Sequence, residues 1–196
     1  MGQMANFIVL EGIDGSGKSS VARFFREKHE EVFLTKEPTD LPVGRLVQRS
    51  AHEETSPFRD LFLYLADRVD HTENIKTKLD EGFTVICDRY WGSTAAYQAA
   101  YEMIELDYAE NIQMPFILNP DLTILFDIDP EISLERITHR ENRTKYERED
   151  FLDKVRDNYL CLAKKHDWKI IDAKQSQKDV LLEVKELIYK ETEGIE

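Results

Sequence analysis

Positive charge is what this chain of 196 residues is short of. It carries 26 lysines and arginines against 39 aspartates and glutamates, for a formal net charge of −13. That balance excludes non-specific binding to a nucleic-acid backbone, so no nucleic-acid polymer is expected as a partner. Cysteine is nearly absent too. Cys87 and Cys161 are far apart and read as reduced thiols in a cytoplasmic protein, not as a disulfide framework. No apolar run approaches the roughly 18 residues of a membrane span. Met1-Gly2-Gln3-Met4-Ala5-Asn6 holds neither a signal-peptide apolar region nor the Ser or Thr of a myristoylation site at position 6. No membrane partner is expected. The histidines show no metal-ligand spacing, and there is no Cys/His cluster. Internal repeats, low-complexity stretches and Gly/Ser linkers are missing as well. The length suits one domain spanning 1–196 with a sizeable core.

What is present starts with Gly12-Ile13-Asp14-Gly15-Ser16-Gly17-Lys18-Ser19, the pattern of a phosphate-binding loop. Before it, Phe7-Ile8-Val9-Leu10 reads as a buried parallel strand. After it, Ser19-Ser20-Val21-Ala22-Arg23-Phe24-Phe25 reads as a helix with one apolar face. Glycines let the backbone N–H groups turn inward around phosphate oxygens, and the helix N-terminus adds its positive end. Lys18 can then reach the β- and γ-phosphates, and the Ser19 hydroxyl can hold Mg²⁺. Such a loop specifies a nucleotide and leaves the reaction open.

Strands are expected at about 5–11, 31–35, 83–88, 121–127 and 168–172. Helices are expected at about 18–29, 41–50, 57–81, 93–111, 131–141, 147–166 and 176–191. The alternation predicts an α/β fold: a five-stranded parallel sheet with helices on both faces and ligands at the carboxyl ends of the strands. The basic, polar segment at about 138–148 reads as a lid.

Several groups fall beside that edge. Lys36-Glu37-Pro38-Thr39 follows the second strand and either turns the chain or walls a pocket. Tyr64 and Arg68 are four apart and share a helix face, suited to stacking on a base and bonding its edge. The alternative is a buried Tyr64 with Arg68 paired to Asp67 or Glu73. Asp88-Arg89-Tyr90 ends the third strand, placing a carboxylate near Mg²⁺ and a guanidinium able to clamp a phosphate. Ser93 reads as the cap of the next helix, and Tyr97 faces pocket or core. Arg136, Arg140 and Arg143 are spaced to form one basic stripe on a helix, with Lys145 and Arg148 beyond. In so acidic a chain, a flap carrying them over a transferring phosphoryl group would stabilise its charge.

In order and spacing, Phe7 to Ser19, Lys36-Glu37-Pro38-Thr39, Tyr64-Leu65-Ala66-Asp67-Arg68, Asp88-Arg89-Tyr90 and Ser93 to Gln98 resemble thymidylate kinases over nearly the whole chain. The resemblance implies a single P-loop domain that moves the γ-phosphoryl of ATP, with Mg²⁺, to dTMP. Residues 12 to 20, with Gly12, Ile13, Gly15, Ser16, Gly17 and Ser20 beside Asp14, Lys18 and Ser19, would hold ATP. Ser19 and Asp88 would hold the metal. The acceptor would meet Asp14, Glu37, Pro38, Tyr64, Arg68, Arg89, Ser93, Thr94 and Tyr97. Within that set Tyr64 would stack on thymine, Arg68 would bond a thymine carbonyl, Arg89 would grip the phosphate, and Tyr97 would disfavour a 2′-hydroxyl. The loop has no arginine after Asp14, so the resemblance points to a lid-arginine subtype, with Arg136, Arg140 and Arg143 as candidates beside the catalytic Lys18, Arg89 and Asp14. Tyr64 stands where many relatives carry phenylalanine, and its hydroxyl needs a partner. A homodimer through helices near 41–50 and 57–81 is also implied. Two rival readings remain open. One is a kinase for another monophosphate or for a deoxynucleoside, the latter needing a carboxylate base such as Glu11 or Glu37. The other is a nucleotide-dependent switch protein, although neither an Asn-Lys-x-Asp motif nor an Asp-x-x-Gly after a strand is present.

Overall fold

A computed structural model describes residues 5–138 and 144–191. The elements alternate as expected: β1 (Phe7–Glu11), α1 (Lys18–Lys28), β2 (Val32–Lys36), α2 (Pro42–Ser50), α3 (Pro57–Asp80), β3 (Thr84–Asp88), α4 (Trp91–Ala99), α5 (Leu106–Asn111), β4 (Leu122–Asp127), α6 (Pro130–Ile137), α7 (Glu149–Lys165), β5 (Lys169–Asp172) and α8 (Gln177–Glu191). The five strands form one parallel sheet in the order β2-β3-β1-β4-β5. β1 is central and every one of its residues is buried, so both faces of the sheet are covered there. That is why it reads as an unbroken apolar run and not as an alternation. The chain leaves β1 toward the β2 edge and leaves β4 toward the β5 edge. A crevice therefore opens at the carboxyl end of β1, where open α/β sheets take ligands.

Helix faces follow from residue spacing. α1 buries Lys18, Val21, Ala22 and Phe25, one stripe at helical period. α3 starts with Pro57 at its first turn and buries Leu61, Leu65, Arg68, Thr72 and Ile75. Arg68 thus occupies a core position and has to find its partners inside the protein.

Two expectations need correction. The single helix expected over 93–111 is two helices, α4 and α5, with a turn between them. No Gly or Pro marks the break. Packing decides it, because the turn carries Ile104 into the core at 3% exposure. Ser93 does not cap a helix, since α4 already begins at Trp91 with Tyr90 at the N-cap. The helix expected over 131–141 is α6, with Thr138 as its C-cap. Of the basic stripe only Arg136 is described; Arg140 and Arg143 lie outside the described residues.

Candidate functional site

The glycine-rich loop joins β1 to α1 at the centre of the carboxyl edge. Its backbone turns through positive φ at Gly12 (138°) and Gly15 (78°). A Cβ on Gly12 would stand 2.6 Å from the Phe126 carbonyl oxygen, and one on Gly15 would stand 2.7 Å from that of Ser133. Both positions therefore need glycine for space as well as for conformation. Lys18 folds back over the loop, donating to the carbonyls of Gly12 (2.8 Å) and Ile13 (2.9 Å) and to Ser16 Oγ (3.1 Å). Burial, aided by Arg89, lowers its pKa to about 8.

Ser19 and Asp88 meet here as well, the Ser19 hydroxyl donating to Asp88 Oδ2 at 2.5 Å. Asp88 Oδ1 is buried without a partner. A hydroxyl, a carboxylate and an orphaned carboxylate oxygen are hard donors suited to Mg²⁺, which takes one or two carboxylates and completes its shell with water and phosphate. Among the described residues no cluster of three or more His, Cys, Asp or Glu could hold a metal on its own.

Two cavities flank this edge. One, of about 630 Å³, runs along the glycine-rich loop and is lined by Lys18, Ser19, Ser20, Lys36, Asp88 and Arg136 among others. The second, of about 360 Å³, is walled by Pro38, Tyr64, Ser93, Thr94, Tyr97 and Tyr146. Asp14, Glu37 and Arg89 line both. Arg89 is thus placed at the junction, and its φ of 70° is the backbone turn that brings it there. Its Nη2 donates to Asp14 Oδ1 (2.6 Å) and to the Tyr97 hydroxyl (3.4 Å), and its Nη1 to Ser93 Oγ (3.1 Å) and the Tyr159 hydroxyl (3.3 Å). The guanidinium lies over the Tyr97 ring at 5.2 Å. Burial pushes the Tyr97 phenol up to about 12, so it remains a neutral wall.

Glu11 supports this arrangement from below. Its carboxylate accepts from the backbone N–H of Tyr90 and Ser93 at the start of α4, both at 3.1 Å, and from the Ser93 hydroxyl at 2.5 Å. Burial raises its pKa, against the opposing pull of Ser93 and Arg89. Ser93, expected as a helix cap, instead links Glu11 to Arg89. Glu37 is engaged in the same way: one oxygen accepts from Arg68, and the other meets His71 Nδ1 at 2.9 Å. Burial alone would raise the Glu37 pKa, but Arg68 and His71 hold it below the ordinary carboxylate range. Glu37 lines both cavities, with each of its oxygens already engaged by a partner.

Arg68 departs from the alternative in which it pairs with a neighbour on its own helix. It pairs with neither Asp67 nor Glu73, and it does not line either cavity. It is fully buried behind the second cavity. Nη1 donates to Gln113, and Nη2 donates to Glu37 and to Thr94 Oγ1 (2.9 Å). Asp67 instead accepts from the backbone N–H (2.8 Å) and hydroxyl (2.5 Å) of Thr39. Tyr64 does reach the cavity, where Tyr146 is also in the lining, and burial raises the pKa of its phenol.

Arg136 borders the loop cavity, donating to the carbonyls of Ala173 (2.9 Å), Gly15 (3.4 Å) and Lys174 (3.4 Å). Lys145 turns away from the phosphate loop. Its Nζ is held by Asp60 (2.6 Å), Thr55 (2.5 Å) and the Glu53 carbonyl (3.1 Å). Arg148 is exposed and pairs with Asp150. Tyr90 also lines the second cavity; Tyr146, Gln48, Ala51, His52 and Thr144 complete it and were not anticipated. Only Tyr146 carried a signal, as an aromatic within the basic segment.

The family model described as thymidylate kinase matches residues 10–184. A probable thymidylate kinase of Pyrobaculum aerophilum is 40% identical over 187 residues, covering 94% of this chain and 96% of that protein. One from Methanococcoides burtonii is 38% identical over 194 residues, covering 92% and 96%. Among solved structures, thymidylate kinase from Candida albicans superposes with a TM-score of 0.82 at 26% identity, covering 100% of this chain and 97% of that one.

Proposed function

The chain belongs to the thymidylate kinase family, and from that premise we propose that it transfers the γ-phosphoryl of ATP to dTMP, giving dTDP, within one domain. The observation that carries this reading is the placement of Arg89, at the junction of a phosphate-loop cavity and a second cavity walled by four tyrosines, Tyr64, Tyr90, Tyr97 and Tyr146.

The chemistry asks for two anions held in line with their repulsion neutralised. The loop from Gly12 to Ser20 takes the donor phosphates, and Lys18 exchanges its carbonyl partners for phosphate oxygens. Arg89 holds the acceptor phosphate from the far side, steadied by Asp14, Ser93 and Tyr159. Tyr64 and Tyr97 flank the base and sugar, with Glu37 and Pro38 forming the wall between. No general base is needed, because a phosphate oxygen is already a nucleophile near neutral pH. The engagement of Glu11 and Glu37 by their own partners weighs against a deoxynucleoside acceptor. Ser19 and Asp88 would hold Mg²⁺, which would supply charge neutralisation on the donor phosphates. A basic lid at about 138–148 would close over the site, with Arg136, Arg140 and Arg143 as the candidates for the arginine on the transferring group; Arg140 and Arg143 lie outside the described residues.

We also read the protein as cytoplasmic and homodimeric. Phe58, Phe62 and Val69 form an exposed apolar stripe along α3, with Leu46 on α2 beside it. Such a stripe suits an interface between copies, and a solution mass of twice 23.0 kDa is the check.

The test is ADP release with ATP and Mg²⁺ against dTMP, dUMP, UMP, CMP, AMP and thymidine, repeated with EDTA. Strong turnover of dTMP, little with thymidine and none with EDTA is expected. A preference for thymidine, or silence with every acceptor, would overturn the reading.

A further inference from the structure

Part of the tyrosine-lined cavity is built from two stretches far apart in the chain. Gln48, Ala51 and His52 come from the end of α2 and the connection to α3, and Thr144 and Tyr146 come from the approach to α7. Lys145, between the last two, turns the other way. Its Nζ enters a socket on the connection between α2 and α3, donating to Asp60 Oδ2 (2.6 Å), Thr55 Oγ1 (2.5 Å) and the Glu53 carbonyl (3.1 Å). An ammonium has three hydrogens, and each one here meets an acceptor. The Lys145 backbone N–H donates to the Ala51 carbonyl at 3.0 Å. Solvent barely reaches the pair, with the Lys145 side chain 8% exposed and that of Asp60 2%. Asp60 also accepts from Ser50 and, through both oxygens, from Thr55 at 2.8 Å.

Residues 51–56 belong to no helix or strand, so no regular ladder fixes their path. The ion pair and its hydroxyl partners do. With Lys145 gone, Asp60 would be left as a buried charge held only by hydroxyls, and the connection would have to open to hydrate it. Opening displaces Ala51 and His52 and releases Thr144 and Tyr146. Tyr146 in turn packs edge-on against Tyr97, with ring centroids 5.5 Å apart. A ligand that has to order its own wall loses affinity to that ordering, and a wall ordered in advance removes the loss.

We infer that Lys145 is a positioning residue for the acceptor: through its buried pair with Asp60 it holds the outer wall of the tyrosine-lined cavity in place before the acceptor arrives. Lys145 itself lines neither cavity, so it acts through Thr144, Tyr146, Ala51 and His52, and the donor side does not depend on it. This inference rests on the monophosphate kinase reading above.

The experiment measures KM for dTMP, KM for ATP and kcat for the wild type, Lys145→Met, Asp60→Asn and the double variant, with thermal melting of each. Lys145→Met keeps an unbranched side chain and removes the charge. It should raise KM for dTMP about five- to thirtyfold, the equivalent of ordering one backbone residue on binding, with KM for ATP and kcat within about twofold of wild type. Asp60→Asn should act in the same direction, and the double variant should be no worse than the poorer single one, because all three lose the same interaction. A bridge that only stabilises the fold would lower the melting temperature without separating the two KM values. A folded Lys145→Met variant with the wild-type KM for dTMP, or with KM for ATP raised as far, therefore overturns the inference. The wild type alone gives a second reading. Amides over 144–148 should be protected from hydrogen exchange in the free protein and change little with dTMP, and protection that appears only when dTMP is added overturns the inference without any variant. If dTMP is turned over and neither reading comes out as expected, the inference alone fails. If no monophosphate is turned over, the kinase reading fails and takes this inference with it.

Discussion

Replacing Arg89 with alanine is the sharpest perturbation of the proposed site, because this one guanidinium faces both cavities. Its φ of 70° would not confound the result. Arginine and alanine meet the same steric cost in that region, so the backbone term cancels. The fold should lose little. Asp14, the charged partner, keeps 32% of its side chain exposed and can rehydrate, while Ser93 and Tyr159 keep each other at 2.7 Å. A cost of about 1 kcal/mol follows, or a melting shift of about 2–4 °C for a chain of this size. Catalysis should lose far more. Two charge-assisted bonds to a phosphate are worth roughly 1.5–3 kcal/mol each, so kcat/KM for dTMP should fall by roughly two to four orders of magnitude. KM for dTMP should rise and kcat should fall, because the repulsion grows as the phosphates approach, while KM for ATP should move little. Coupled ADP release with each substrate varied in turn reads all three quantities. A variant that melts normally and keeps kcat/KM for dTMP within about threefold of wild type would remove Arg89 from the site.

Two further outcomes follow from the geometry. Lys18 titrates at about 8 in the free protein, and a bound triphosphate would favour its protonated form and raise that value. Below pH 8 the lysine is charged in both states. Above it, binding must take up a proton, so ATP affinity should weaken by up to tenfold per pH unit until the bound-state pKa is reached. Calorimetric titration at pH 7 and pH 9 in two buffers of different ionisation enthalpy would detect that uptake, and unchanged affinity would contradict it. Gly92 is a test of packing: a Cβ there would stand 2.5 Å from the Trp168 ring and 2.8 Å from Glu11 Oε1. Gly92→Ala should destabilise by about 1–3 kcal/mol, read as a lowered melting temperature together with a raised KM for dTMP as Glu11 loosens its hold on Ser93. A neutral melting curve would mean that the start of α4 can shift freely.

The strands were legible because the three inner ones, β1, β3 and β4, are apolar runs inside a sheet covered on both faces, and the ends of all five moved by only a residue or two. The glycine-rich loop was legible for a related reason. Its requirements are local, so fixed residue types at fixed spacing carry them. The break between α4 and α5 was not legible, because the residues across it are acceptable in a helix and only the burial of Ile104 turns the chain. Partnerships across the fold were also hidden. Glu11 reaches Ser93 82 positions away, Arg68 reaches Gln113 across 45, and Lys145 reaches Asp60 across 85. No local pattern announces any of these.

The cations show why this matters for function. From spacing alone Arg89 and Arg136 were candidates for the phosphates, Arg68 for a base edge, and Lys145 lay further along the basic segment; what separates them is the chemistry of their partners. Arg68 is matched by Glu37 in the core, and Lys145 by Asp60. Their charge is already neutralised, and moving either would leave a buried carboxylate uncompensated. Among the described residues Lys18 bonds only carbonyls and a hydroxyl, and Arg136 bonds only carbonyls. Dipoles orient such cations without cancelling their charge, so an incoming phosphate can displace the dipoles at little cost. Arg89 stands between the two classes, paired with an Asp14 that solvent still reaches. In a chain of net charge −13, the positive field is therefore concentrated where lysine and arginine are held by neutral oxygens, around the glycine-rich loop. In the tyrosine-lined cavity the one arginine of the lining is Arg89, shared with the loop cavity, while Arg68 lies behind the wall with its charge matched by Glu37.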